Sequence, residues 1–443
     1  MNLIKQNIRK SFFNVLYMSI ILTILVSCGS DSEDVVNPPI PIPQNQAPAA
    51  FSLTGLTNGM TNVDVKPTMS WEVATDPDGD TVTYDFYLDI NENPTTLFAT
   101  NIVGTSFQIQ ESLDLINEYY WKIVAKDGQG NTTESNIFSF TTRNLNIPNQ
   151  PVTASANFSG RRDHTTTVFN DKLWVIGGMD NGFNHLNDVW YSNDGISWIE
   201  ATNSAAFPGR RGHTTIVFDD KLWVIGGVNN INPTSTYFED SVWYSADGVN
   251  WIETTSSQEF LERGFHDTVV FDNKIWLIGG NQNDFFFRSD VWYSSNGINW
   301  TEATADADFV GRIDHSVEVF ENKLWVIAGR AINGVLTNNV WYSNDGVNWI
   351  QTSPEAQFTK RQAHTSVVFG NKLWIMGGRD INGVLPKEVW YSSDGITWTQ
   401  LPSSGEYPGK MGHTTSIFND QMWVVGGYDS ATANYSNNIW VFD

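Results

Sequence analysis

A chain of 443 residues has room for two or three domains. Its 49 acidic against 25 basic side chains leave a net charge of −24, which opposes contact with nucleic acid phosphates and favours solubility. The single cysteine, Cys28, excludes an intramolecular disulfide.

At the N-terminus, Lys5, Arg9 and Lys10 precede an apolar run over 12–26 and then Ser27-Cys28-Gly29. That is the organisation of a secretory signal over 1–27, and the run is short for a membrane span. The Leu25-Val26-Ser27-Cys28 ending resembles a bacterial lipobox, which implies that Cys28 is lipidated and becomes the mature N-terminus. Asp31, Glu33 and Asp34 resemble the surface-export signals of some Gram-negative lipoproteins, and acidic spacers also occur in solvated linkers. Pro38, Pro39, Pro41, Pro43 and Pro48 make 28–48 an extended acidic, proline-rich linker, read as a stalk.

From 49 to 143 the pattern changes to alternating strands. Trp71, the run 84–88, and Leu113 six residues before Tyr119 and Trp121 resemble a fibronectin type III or related immunoglobulin-like sandwich, with Leu113 and Tyr119 matching its tyrosine corner. The resemblance implies a spacer or accessory binding module. Asp76, Asp78 and Asp80 alternate as oxygen ligands for calcium do, yet the twelve-position loop is absent and Asp-Pro and Asp-Gly also form ordinary turns.

After a short linker, 144–149, residues 150–443 carry six copies of one skeleton: a histidine, a glycine pair 13 residues later, and two tryptophans eight apart, of which the sixth copy has only the first, Trp440. The histidines are His164, His213, His266, His315, His364 and His413. The first residues of the glycine pairs lie 49, 53, 49, 49 and 49 residues apart, a period of blade-type repeats; Ala328 replaces one glycine. Each unit divides into four short strands, in the first unit roughly 164–169, 172–178, 188–192 and 197–202, here called a, b, c and d. Asn170-Asp171 between a and b and Asp194-Gly195 between c and d, with their copies, are dipeptides that suit tight hairpins with positive φ. Strand b, Leu173-Trp174-Val175-Ile176, is apolar on both faces and needs cover on both. A closed ring of stacked sheets supplies it. The sixth unit stops at Asp443 without strand d, and the repeat spacing places 150–154 in that role, so the ring is expected to need nothing before residue 144.

On these features the segment resembles kelch repeats. The fold expected is all-β: a six-bladed kelch-type β-propeller with an N-terminal fibronectin III/immunoglobulin-like β-sandwich. Kelch propellers host binding proteins, oxidases and mutarotases alike, so the resemblance implies fold more than function.

Within the repeats all length variation falls in the b–c connections, four extra residues in unit two and one in unit six. Loops on a rigid scaffold are where binding is placed. Those of units four and five, 332–336 and 381–385, read as plain hairpin extensions, whereas units one to three offer Phe183 and His185, Tyr237 and Phe238, and Phe285, Phe286, Phe287 and Arg288. Such aromatics suit a glycan or a protein ligand, or else pack on neighbouring blades. A basic residue three before each histidine recurs as Arg161, Arg210, Arg263, Arg312, Arg361 and Lys410. Two readings follow: a ring of cations at the channel mouth for a carboxylate, or ties between blades through backbone carbonyls.

No Gly-x-Ser-x-Gly elbow, zinc-binding helix or phosphate loop is present. Scattered acids such as Glu239, Glu318 and Glu388 are the remaining candidates for proton transfer. The expected function is a lipid-anchored outer-membrane or cell-surface binding module, monomeric, without cofactor or metal, contacting the membrane through its anchor. The alternative is a small-sugar enzyme resembling kelch-type sialic acid mutarotases, with arginines on a carboxylate and a glutamate moving a proton.

Overall fold

Ahead of the repeats, Tyr119 accepts a hydrogen bond on its phenol oxygen from Asp114 N–H at 3.1 Å, tying a crossing loop to the strand Glu118–Lys126. The structure, a computed structural model, describes residues 44–443 apart from 233–234, 255–258, 284–285 and 403–406. The signal segment, Cys28, most of the stalk and Phe285 lie outside the described residues. One sheet orders Met60–Val63, Phe138–Thr142, Glu118–Lys126, Thr83–Asp89 and Leu97–Ile102; Thr68–Ser70 pairs with Ser106–Gln108 in another. Met69, Phe86, Trp121 and Phe140, all buried, form their common core.

Asp76 accepts the N–H groups of Asp78 and Asp80, Asp78 accepts from Gln46, and Asp80 accepts from Gln129. Among the described residues no group of three His, Cys, Asp or Glu side chains is placed to hold a metal ion.

The repeats form six successive antiparallel sheets. The first contains Thr165–Phe169, Lys172–Asp180, His185–Ser192 and Trp198–Thr202 in that order, and the next four follow the same a–b–c–d path. The sixth holds Thr414–Phe418, Gln421–Val425 and Ile439–Phe442, and Thr153 pairs antiparallel with Ile439, the position Thr202 takes opposite Val189 in sheet one. Both faces of strand b are covered because each core lies between two sheets: Trp174 and Ile176 pack with Leu222, Val224 and Trp251 of the following repeat.

All six a–b turns have positive φ at both central residues, from Asn170 and Asp171 to Asn419 and Asp420. The c–d connections differ from expectation. Ser192 pairs with Trp198, leaving five residues between the strands, and only Gly195 of the dipeptide has positive φ. Asp194 instead accepts the N–H groups of Ile196 and Ser197, which organises a wider turn. That hydrogen bonding holds Asp194 down to about 2. Gly195 is required for a second reason: a Cβ there would lie 2.2 Å from the Trp423 ring of the preceding repeat. Gly248, Gly297, Gly346 and Gly395 meet Trp174, Trp223, Trp276 and Trp325 in the same way.

Among the described residues no c–d glycine meets Trp374 of repeat five in this way. Leu115 and Leu145 pack in its cluster instead. Gly370, the only glycine in the first position of an a–b turn, lies against Leu115, 3.3 Å from where a Cβ would be. Nor is 144–149 a free linker: Leu145 is buried and Asn146 N–H donates to the Asp443 carbonyl at 2.8 Å. The repeats therefore lean on residues before 144, contrary to the expectation from spacing.

Candidate functional site

The invariant basic residues do not line the mouth. Arg161, Arg210, Arg263, Arg312, Arg361 and Lys410 are all 0% exposed. The Arg161 guanidinium donates to the Gly177 carbonyl at 2.9 Å, and each of the others makes the equivalent bond to Gly226, Gly279, Ala328, Gly377 or Gly426. Arg263 adds a bidentate pair with Asp290 at 2.7 and 2.8 Å, and Arg161 a similar one with Asp188. Their burial pushes Arg312 down to about 9 and Lys410 down to about 8. A side chain this committed cannot reach a ligand, and its guanidinium contacts lie within its own repeat, as Arg161 with Gly177 and Asp188.

One residue before each histidine, the backbone makes a closed cycle. Gly212 N–H donates to Asp163 C=O, Phe265 to Gly212, Asp314 to Phe265, Ala363 to Asp314, Gly412 to Ala363, and Asp163 to Gly412, at 2.7–3.2 Å. All six residues have φ between 51° and 59°. This ring borders two cavities. Beneath it lies the central channel, about 360 Å³, lined by strand-a hydroxyls such as Thr165 and Thr365 and by Asp267 and Glu318. On the b–c side lies a mouth basin of about 260 Å³.

The basin is lined by Arg162, Arg211, Arg330 and Arg379, with Asp163, Asp314, Phe265 and Phe287 among its other walls. Asp163 is occupied by Arg211 at 3.0 Å and Arg162 at 3.5 Å. Arg211 lies over the Phe265 ring at 5.2 Å and Arg330 over Phe287 at 5.8 Å, contacts that orient guanidinium planes without neutralising them. Among the described residues no carboxylate stands within ion-pair distance of Arg330 or Arg379. Burial, then the Asp163 charge, raises Asp314 to about 7. Four guanidinium groups thus face two carboxyl groups, one of them largely protonated below neutrality.

Of the described loop residues expected to bind, only Phe287 lines the basin. Phe183 is 69% exposed and touches Tyr435; Phe286 is 62% exposed and Tyr237 46%, both away from it. Phe238 pairs with Val228 inside a small hairpin. Arg288 bonds Gln282, and His185 is held down to about 4 by burial and then by the Arg211 charge. Glu239 accepts from Ser241 and Asn229, and Glu388 stands 3.8 Å from Arg361, which leaves Glu318 as the candidate acid that faces the channel.

Sequence reasoning missed the four arginines because they occupy the columns beside the invariant ones. Arg162 and Arg211 follow the invariant basic residue, where other repeats have Gly264, Ile313, Gln362 and Met411; Arg330 and Arg379 follow the glycine pair, where others have Met179, Val228, Asn281 and Tyr428. The loops read as plain extensions are those that follow Arg330 and Arg379.

Residues 121–306 and 265–443 match the KLHDC2/KLHL20/DRC7 Kelch-repeats domain, together more than half of the chain. The chain belongs to the kelch-repeat family. The solved structure of YjhT resembles this kelch chain over 68% of its length and 99% of YjhT, with a TM-score of 0.53 and 16% identity, a likeness of fold. No curated protein matches it.

Proposed function

We propose that the chain is a surface lipoprotein, anchored through Cys28, in which a six-bladed kelch propeller stands behind a fibronectin III-like sandwich and holds a small anionic ligand in its mouth basin. The ligand class is a carboxylate-bearing glycan. The observation that carries this reading is that Arg330 and Arg379 stand without a carboxylate partner among the described residues, inside a chain of net charge −24. Guanidinium forks match carboxylates in geometry as well as charge. The protein would act as a monomer, without nucleic acid. Saturation-transfer NMR against matched acidic and neutral sugars tests it: glucuronate is expected to bind and glucose not to, and equal binding of both would remove the anionic basis.

A second reading, a small-sugar enzyme resembling kelch-type mutarotases, is favoured by Asp314. Its carboxyl shares the basin with the arginines and titrates at about 7, in the range useful for moving protons near neutrality. Exchange NMR of sugar-acid anomers with Asp314→Asn as control tests that reading; unaccelerated anomer exchange in the wild type would leave binding alone.

A further inference from the structure

The b–c loop of repeat one carries backbone strain that two of its counterparts avoid. Asp180 N–H donates to the Asn184 carbonyl at 3.1 Å, Phe183 N–H donates to the Asp180 carbonyl at 3.0 Å, and the Asp180 carboxylate accepts the N–H groups of Gly182 and Asn184. Repeat five builds the same turn. Asp380 N–H donates to Val384, Gly383 N–H to the Asp380 carbonyl, and the Asp380 carboxylate accepts from Asn382 and Val384. This turn places one residue at positive φ: Gly383 at 81° in repeat five, and Gly334 at 79° in the loop of repeat four. In repeat one Phe183 takes that place at 63°, although Gly182 is its neighbour. A bulky side chain is disfavoured there, and such outliers gather where a ligand is clamped.

Burial does not explain the strain, because Phe183 is 69% exposed. Its ring stands nearly perpendicular to that of Tyr435, with centroids 6.5 Å apart. Tyr435 belongs to repeat six and is clamped to the same loop of repeat one: Asn181 Nδ2 donates to the Tyr435 carbonyl, and Tyr435 N–H donates to Asn181 Oδ1, both at 2.9 Å. The Arg162 guanidinium lies over the Tyr435 ring at 5.0 Å, and Arg162 lines the mouth basin. An aromatic shelf thus adjoins the basin where repeats six and one meet. Aromatic faces carry partial negative charge, which the C–H face of a pyranose complements while its hydroxyls stay in water.

We propose that Phe183, positioned by Tyr435, is a stacking subsite for a neutral sugar residue of a glycan whose acidic residue occupies the arginine basin. The assignment rests on the basin reading and extends it from a single sugar acid to an acidic disaccharide or longer chain. Asn181 and the strained turn hold the shelf in place before the ligand arrives, so little freedom is lost on binding and the contact contributes to affinity.

Calorimetric titration of the full-length protein with glucuronate and with cellobiouronate, a glucuronate joined to one glucose, tests the proposal. Cellobiouronate is expected to bind about tenfold more tightly than glucuronate, the contribution of one aromatic anchor. In Phe183→Gly the two acids should bind alike, at the wild-type affinity for glucuronate, and the melting temperature should be no lower, since glycine adopts positive φ without strain. Phe183→Tyr should keep the gain. Equal affinities for the two acids in the wild type, a gain retained in Phe183→Gly, or a lowered melting temperature in that variant, which would mark Phe183 as a packing residue, would overturn the assignment. Glucuronate binding without the disaccharide gain removes the shelf alone, whereas absence of glucuronate binding removes the basin reading, so the two fail separately.

Discussion

Gly427 donates its N–H to the Arg161 carbonyl at 2.8 Å, joining the last repeat to the first. Gly178 does the same to Arg210, Gly227 to Arg263, Gly280 to Arg312 and Gly329 to Arg361. Each arginine thus serves one sheet with its backbone and the next with its guanidinium. That double duty explains why the residue recurs without facing solvent.

Arg263 is the most demanding case, because its removal leaves Asp290, 8% exposed at the side chain, without compensation. Arg263→Ala is expected to cost about 3–5 kcal/mol in urea denaturation, the usual penalty for orphaning a buried charge. Arg312→Ala should cost less, since its guanidinium meets the Asn339 amide oxygen where Arg263 meets a carboxylate. Equal losses would contradict the role given to Asp290.

Trp374 depends on Leu115 and Leu145 for the cover that glycines give its counterparts. Leu115→Ala is expected to lower stability by about 2–5 kcal/mol. Deleting residues 1–143 removes Leu115 altogether and should lower the melting temperature and promote association through the uncovered tryptophan. An unchanged melting temperature in the deletion would show that the repeats stand alone.

The pH dependence has two opposed limbs. Burial holds His213, His315, His364 and His413 down to about 3, and His164 and His266 well below the ordinary range. Below about pH 6.5 the unfolded chain takes up protons that these imidazoles refuse, so their stability is present above that pH and lost as pH falls. Asp267, Asp314 and Glu318 titrate at about 7, 7 and 8 in the fold, so their contribution is complete below about pH 4 and lost as pH rises through those values. With His185, held down to about 4, seven imidazoles against three carboxyl groups make the acid limb steeper and place the optimum at about pH 6.5. Calorimetry across pH 4–9 checks this on the full protein, with Glu318→Gln expected to flatten the alkaline limb.

In the c–d turn of repeat four, Asp345 accepts the N–H groups of Val347 and Asn348, both at 2.9 Å. Asp345→Ala is expected to cost about 0.5–2 kcal/mol, as loss of a comparable side-chain cap does. Ligand affinity should not move. A change in glucuronate binding without a change in stability would place the site on the opposite face.

Periodicity made the repeats legible because invariant positions are structural: the histidines, glycine pairs and buried arginines build every sheet alike. The same uniformity hid the basin. Arg330 and Arg379 are visible only as departures within one column, and nothing local tells that two columns from different repeats converge around one channel. The c–d dipeptides misled for another reason: Asp194 is used for its carboxylate acceptors, and only Gly195 for its φ. Leu115, outside the repeats in sequence, packs in the Trp374 cluster and against Gly370, a relation that spacing alone does not encode.

The central claim is that the mouth basin recognises an anion through arginines free of protein carboxylates. Calorimetric titration of glucuronate into the wild type and into an Arg330→Gln, Arg379→Gln double variant tests it most directly. Saturable binding that falls by tenfold or more in a variant of unchanged melting temperature is the result expected, since each charge-assisted bond is worth about 1.5–3 kcal/mol. Binding that persists undiminished in the folded double variant would contradict the account.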